Sequence, residues 1–280
     1  MARTEGRSHE RYRTPPTRSF RSARPPSASL PTTFAALHRS LIRRPSRPSG
    51  RGISLDLTGA VLVDFNFVQG SVIRAQFAGA TFQGIAGFEE ATFERVARFD
   101  EATFQRDVLF GGVTFESEAG FDGATFGGAA VFRGASFKGN AGFTGARFQS
   151  DAGFDGATFE GAAVFGEVTF EGDAWFGKVT FEGEAWFPTT FRGDAWFPEA
   201  TFQRAAWFGE ATFHRASAFG GAHVLHIDYR DRHGMWPDGW TVLPDPTDPG
   251  RGTLVRAEQT EEPEPAAPHR IRPGDNEIES

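Results

Sequence analysis

From Phe77 to Phe219 a phenylalanine returns at spacings that alternate between five and six residues, so the apolar pattern repeats every 11 residues over half of the chain. Two positions before each of these 27 phenylalanines stands Ala in 21 cases and Val in 4, with Thr189 and Ser217 the two exceptions. A small and a large apolar side chain two residues apart share a face only on extended backbone. Between them come Gly, Glu, Asp, Arg and Gln, as in FEGAAVFGEVTF. A polar corner in every unit leaves no room for strands of ordinary length. Short strands joined by corners of one hand wind into a β-solenoid, with Phe filling the axis, Ala letting the wall close, and successive coils about 4.8 Å apart. The ladder comprises Phe77, Phe82, Phe88, Phe93, Phe99, Phe104, Phe110, Phe115, Phe121, Phe126 and their successors. It slips once, in PTTF, where Phe191 follows Phe187 after four residues and a locally tightened coil is expected. Pro188 and Pro198, each directly after a ladder Phe, stiffen their corners.

These residues resemble the pentapeptide-repeat family, whose unit reads A-D/N-L/F-x-x. The preceding segment LDLTGAVLVDFNFVQGSVIRAQF keeps the family's strict spacing of five through Leu57, Leu62, Phe67, Val72 and Phe77, with Ala60 and Ala75 in the small position. The extra residue in every second later unit suggests a bulge or a wider corner on alternate sides. The resemblance implies an all-β fold, a right-handed quadrilateral β-solenoid with four units per coil. The 31 units from Leu57 to Phe219 then make seven to eight coils. Burying so many rings, each contributing about 1.5–3 kcal/mol, offsets the ordering entropy of a narrow rod, and no cofactor or disulfide is needed.

Composition sets the expected boundaries: a disordered arm at 1–50, the solenoid at 51–220, a cap at 221–245 and a disordered acidic, Pro-rich tail at 246–280. The arm holds eleven Arg and two Glu, a formal +9. It reads as a basic arm for nucleic acid or an anionic surface, as a transit-like leader, or as a bare tail or a start codon assigned too far upstream. Within it only Phe34 to Arg44 suits a short amphipathic turn. A missing upstream domain also stays open, because the ladder begins abruptly. Val224, Leu225, Ile227, Met235, Trp236, Trp240 and Val242 suit a lid over the last coil, which would otherwise expose unpaired backbone and apolar rings. No apolar run of membrane-spanning length occurs and cysteine is absent, which fits a soluble, cytoplasmic protein.

Little in the chain argues for catalysis. His223, His226 and Asp228 in HVLHID offer a metal pair, but on extended backbone the two imidazoles diverge and no third ligand follows at fixed spacing. The paired acids Glu89 with Glu90, and Asp173 with Glu184, fall at solvated corners. There is no Gly-x-Ser-x-Gly elbow, and the glycines lack a phosphate loop's Lys-Ser/Thr pair. The expectation is a non-enzymatic chain with no cofactor and no metal. An enzyme would require a cleft between lid and terminal coils around the histidines.

Two surface features point to partners. The outward position before each ladder Phe alternates between a Thr-rich set and a mixed set, and in the mixed set Trp175, Trp186, Trp196 and Trp207 fall at steps of 11, 10 and 11. On a coil of about 22 residues these form two outward stacks on opposed walls, a candidate patch for a protein partner or self-association. The competing reading is tryptophans that merely stack on one another or lie under the cap with Trp236 and Trp240. The second feature is charge: residues 77–220 carry 20 acidic and 10 basic side chains, a net of −10. Some proteins of the resembled family are acidic rods that mimic DNA at a type II topoisomerase. That role here requires one continuous acidic wall, yet Arg and Lys are interspersed. The sequence therefore favours an interaction scaffold with an unidentified protein partner, a homodimer through a terminal coil or the cap being one form, and DNA mimicry as the alternative. Direct nucleic-acid binding is expected only of the basic arm.

Overall fold

The computed structural model describes residues 52–227 and 236–257. The expectations for 1–50, for Asp228 and Met235 and for 258–280 lie outside them. The described chain winds into a β-solenoid of about eight coils with four walls, each a sheet of two- and three-residue strands. Wall one runs from Ser54–Asp56 to Ala206–Trp207 and wall two from Val61–Val63 to Thr212–Phe213. Wall three runs from Ala86–Gly87 to Ser217–Ala218, and wall four from Ser71–Val72 to His223–Val224. Each strand pairs in parallel with its equivalent one coil on, as in Thr103↔Thr125 and Phe104↔Phe126.

The alternation of five and six residues becomes an alternation of two corners. After the Phe of walls one and three the corner is a tight turn closed by a hydrogen bond such as Ala102 N–H to Phe99 O, 3.0 Å. Its third residue has positive φ, as at Gly123 (φ 67°) and, against its side-chain preference, Glu101 (φ 57°). After the Phe of walls two and four comes the longer corner, which takes the extra residue. Here the side chain of the coil below caps the next coil's backbone: Asp107 Oδ1 accepts from Ala129 N–H at 2.9 Å, and Asn140 Oδ1 from Ala162 N–H at 3.0 Å. Coils pass so closely at these corners that a Cβ on Gly161 would stand 2.5 Å from the Gly139 carbonyl carbon. The first coil lacks the extra residues, which is why Ser54 pairs with Arg74, 20 positions on, while Ala75 pairs with Ala97, 22 on.

Inside, every ladder Phe from Phe77 to Phe208 and its small partner are buried. The rings form four columns. Within a column they stack, as Phe132 on Phe154 at 4.8 Å and 0°. The columns of walls one and three meet edge to face across the axis, as Phe121 to Phe132 at 5.5 Å and 88°. The four-residue step at Pro188–Phe191 is absorbed in a single corner. Thr169 pairs with Thr190 and Phe170 stacks on Phe191 at 5.1 Å, so register survives. Buried Thr189 takes the small position there and donates its hydroxyl to Phe165 O at 2.6 Å.

The cap reaches further than composition suggested. The boundary at 245 falls inside an antiparallel hairpin of Trp240–Pro244 with Gly252–Arg256, whose second strand pairs with His223–Val224 and extends wall four. Residues 245–251 are its turn, and Leu254 is part of the core. Trp236 covers Phe202 and Phe208, and Trp240 covers Phe219. Arg256 lies 4.3 Å over the Trp240 ring and donates to Ser217 O at 3.1 Å, which ties the cap to wall three.

If the ring columns carry the stability, Phe121→Ala in the middle of the rod costs about 3–5 kcal/mol in urea unfolding, while outward Thr125→Ala stays within about 0.5 kcal/mol. Equal effects would show that the interior is not the stabilising element.

Candidate functional site

The interior is filled, so the site has to be sought on walls and corners. Walls two and four present a Thr-rich file, Thr81, Thr103 and Thr125 on one, Thr92 and Thr114 on the other. Walls one and three are different. Reading outward along wall one gives Gln76, Arg98, Gly120, Gly142, Val164, Trp186 and Trp207. Wall three gives Gly87, Leu109, Val131, Gly153, Trp175, Trp196 and Ala218, every one apolar.

The four tryptophans lie at the capped end of these walls. Trp175 stacks on Trp196 at 5.7 Å and 12° on wall three, and Trp186 on Trp207 at 5.1 Å and 17° on wall one. Trp186 is the most open, and its Nε1 donates to Glu184 Oε2 at 3.3 Å. The indole nitrogens of Trp196 and Trp207 are buried with no acceptor. The cap's own Trp236 and Trp240 pack on the core rings Phe202, Phe208 and Phe219.

All four corners carry acids. Asp100, Glu101, Asp122, Glu167 and Glu210 lie between walls one and two, and Glu89, Glu90, Asp155 and Glu199 between three and four. Asp107, Asp151, Glu171, Asp173 and Asp194 lie between two and three, and Glu94, Glu116, Glu118, Glu160, Glu182 and Glu184 between four and one. Cations break up several files, with Lys138 on Glu116 at 2.8 Å, Arg98 on Glu118 at 3.0 Å and Arg192 on Glu171 at 3.3 Å. No single wall of the described rod is a continuous acidic stripe, the feature that DNA mimicry requires.

The histidines do not assemble a centre. His223 sits exposed on the last strand of wall four, and His226 is exposed with Nδ1 2.6 Å from Leu225 O. No group of three or more His, Cys, Asp or Glu able to hold a metal occurs among the described residues. A cleft of about 100 Å³ does open between cap and last coils, but its polar side chains are Arg204, His226 and Thr241, without a carboxylate. A larger groove of about 730 Å³ follows the corner between walls four and one past Glu160, Glu182, Glu184, Gln203, Arg204 and His226. The acids grouped as pairs by sequence are apart in role. Asp173 Oδ1 accepts from Asp194 N–H, and Glu90 Oε2 accepts from Gln69 Nε2 at 2.8 Å.

Residues 77–188 match the family model described as pentapeptide repeats (9 copies). The chain belongs to the pentapeptide-repeat family. No curated protein matches it. The pentapeptide-repeat solenoid continues in register beyond the matched span to Ser217–Ala218 and His223–Val224. No described helix is long and apolar enough to cross a membrane. What the linear sequence hid was the apolar run of wall three and the capping role of the corner aspartates. Both emerge only when every 22nd residue is aligned.

Two corner acids are perturbed. Burial pushes the Asp100 carboxyl up, against the Asp122 N–H and Arg98; burial likewise raises Asp155, against the Gly177 N–H and Arg133. The folded state therefore holds protons that an unfolded Asp releases near pH 3.8, and these two groups make the rod less stable as pH rises from there through their folded values. Asn keeps the oxygen that accepts from the backbone and removes the titration. Thermal melts followed by circular dichroism should show Asp100→Asn/Asp155→Asn more stable than the parent at neutral pH, with the gain shrinking as pH falls through the raised folded values towards 3.8 and gone below it. A pH-independent difference would contradict burial as the cause.

Proposed function

We infer that this pentapeptide-repeat protein is a non-enzymatic interaction scaffold acting in the cytoplasm, and that the outward tryptophans near its capped end are where it holds a protein partner. The observation that carries this reading is that the fold does not need them. Gly120 and Gly142 occupy the same column as Trp186, and Gly153 the same column as Trp175, so a coil closes with no outward side chain at that place. Large aromatics with a polar edge are the side chains that dominate protein contacts. The absence of cysteine fits a reducing compartment.

The test is a pull-down from the native lysate with the full chain, comparing parent, Trp175→Ser/Trp196→Ser and Trp186→Ser/Trp207→Ser, with light scattering for mass and a melt for stability. One double variant should lose its captured protein, or its self-association, by tenfold or more while melting within a few degrees of the parent. Unchanged capture and mass in both would discard the tryptophans as the contact surface.

A further inference from the structure

We propose that wall three, with the corner that precedes it, is a docking face for a basic amphipathic segment of a partner protein, its apolar side chains on Leu109, Val131, Trp175 and Trp196 and its arginines or lysines on Asp151, Asp173 and Asp194. The proposal rests on the scaffold reading and names the partner's chemistry.

Wall three is the one mixed wall whose outward file is apolar throughout, whereas wall one carries Gln76 and Arg98 at its far end. Immediately before its strands, one per coil, stand Asp151, Asp173 and Asp194. Each has one oxygen taken: Asp151 Oδ1 accepts from Asp173 N–H at 3.0 Å, Asp173 Oδ1 from Asp194 N–H at 2.9 Å, and Asp194 Oδ1 from Ala216 N–H at 3.3 Å. None of the three forms an ion pair with a described cation, although Glu171 at the same corner pairs with Arg192, and acids at the other corners are paired too. Three like charges at the coil repeat of about 4.8 Å repel one another. The structural job does not demand that charge, because Asn140 performs it with a neutral amide at the opposite long corner. A file of carboxylates outside any ion pair, beside an apolar file, complements a segment that is apolar on one side and cationic on the next.

Between Val131 and Trp175 the file has a notch. A Cβ on Gly153 would meet nothing nearer than Asp155 Oδ2 at 3.9 Å. The gap is one coil deep, next to the Trp175 strand, with a carboxylate at its side. It suits a guanidinium, which lies flat on an indole and pairs with an acid at its edge. From Leu109 to Trp196 the face spans four coil steps, about 19 Å, which matches about 13 residues of helix.

The experiment is fluorescence anisotropy with the full chain and a labelled peptide of about 13 residues, leucine and arginine placed at helical spacing, against the same peptide with glutamate for arginine. The arginine peptide should bind and the glutamate peptide should not. Asp151→Asn/Asp173→Asn/Asp194→Asn, which keeps the backbone caps, should weaken binding tenfold or more with a melt no lower than the parent's. Glu94→Gln/Glu160→Gln/Glu182→Gln, at the corner between walls four and one, should change it less than twofold. Equal losses in the two triple variants would reduce the effect to general attraction by an acidic rod and overturn the proposal, as would full binding by the aspartate variant. If the aspartate variant binds normally while Trp175→Ser/Trp196→Ser loses the peptide, the tryptophan surface stands and only its basic partner falls. A doubled mass that Trp175→Ser/Trp196→Ser abolishes, with no peptide binding, would assign the face to a second copy and overturn the proposal.

Discussion

Each coil rests its phenylalanine rings on those of the coil below, and the ring spacing has to equal the spacing of hydrogen-bonded parallel strands. Both constraints are met: ladder rings stack at 4.4–5.3 Å, bracketing the strand separation of about 4.8 Å. The remainder of the fold follows. Four columns of rings fill the axis only if the neighbouring inward position is small, hence Ala and Val. Rings stay in register only if each corner delivers the chain to the same point, hence positive φ at the tight corners and side-chain caps at the long ones. A rod built this way offers no interior to a substrate, and whatever it recognises must lie along its outside.

The interior was legible in the sequence because each unit touches only its neighbours, so a local rule repeated is the global structure. Phe spacing sets the coil, its small partners set the inward face, and the step of 21 from Trp175 to Trp196 sets one indole over the other. The cap was not legible in the same way. Its second strand, Gly252–Arg256, lies past a turn of Asp, Pro, Thr and Gly that reads as tail, and its pairing with His223–Val224 is fixed by tertiary contacts between residues 28 and 30 positions apart rather than by any repeat. Glu101 in a left-handed turn was equally hidden, because the corner imposes the conformation and the side chain only tolerates it.

The surface was legible one residue at a time but not as a surface. Asp151, Asp173 and Asp194 are far apart in the chain and look like scattered corner acids; the winding aligns them and puts them beside an apolar file. The same winding spreads the other acids over four corners, so a net charge that looks uniform on paper has a different meaning on each side of the rod. Chemistry that a globular enzyme would gather in a cleft is here set out along a line.

The four-residue step at Pro188 shows how length is measured in such a molecule. One residue is missing, yet all four walls keep their pairing and the next ring lands on its column. The rod behaves as a ruler graduated in coils, not residues. Corners are where the gene can gain or lose a codon without moving any mark, whereas a shift inside a strand would displace every mark beyond it. Distance between features on a face, such as the tryptophans and the open end, is thereby inherited more faithfully than the number of amino acids that separates them.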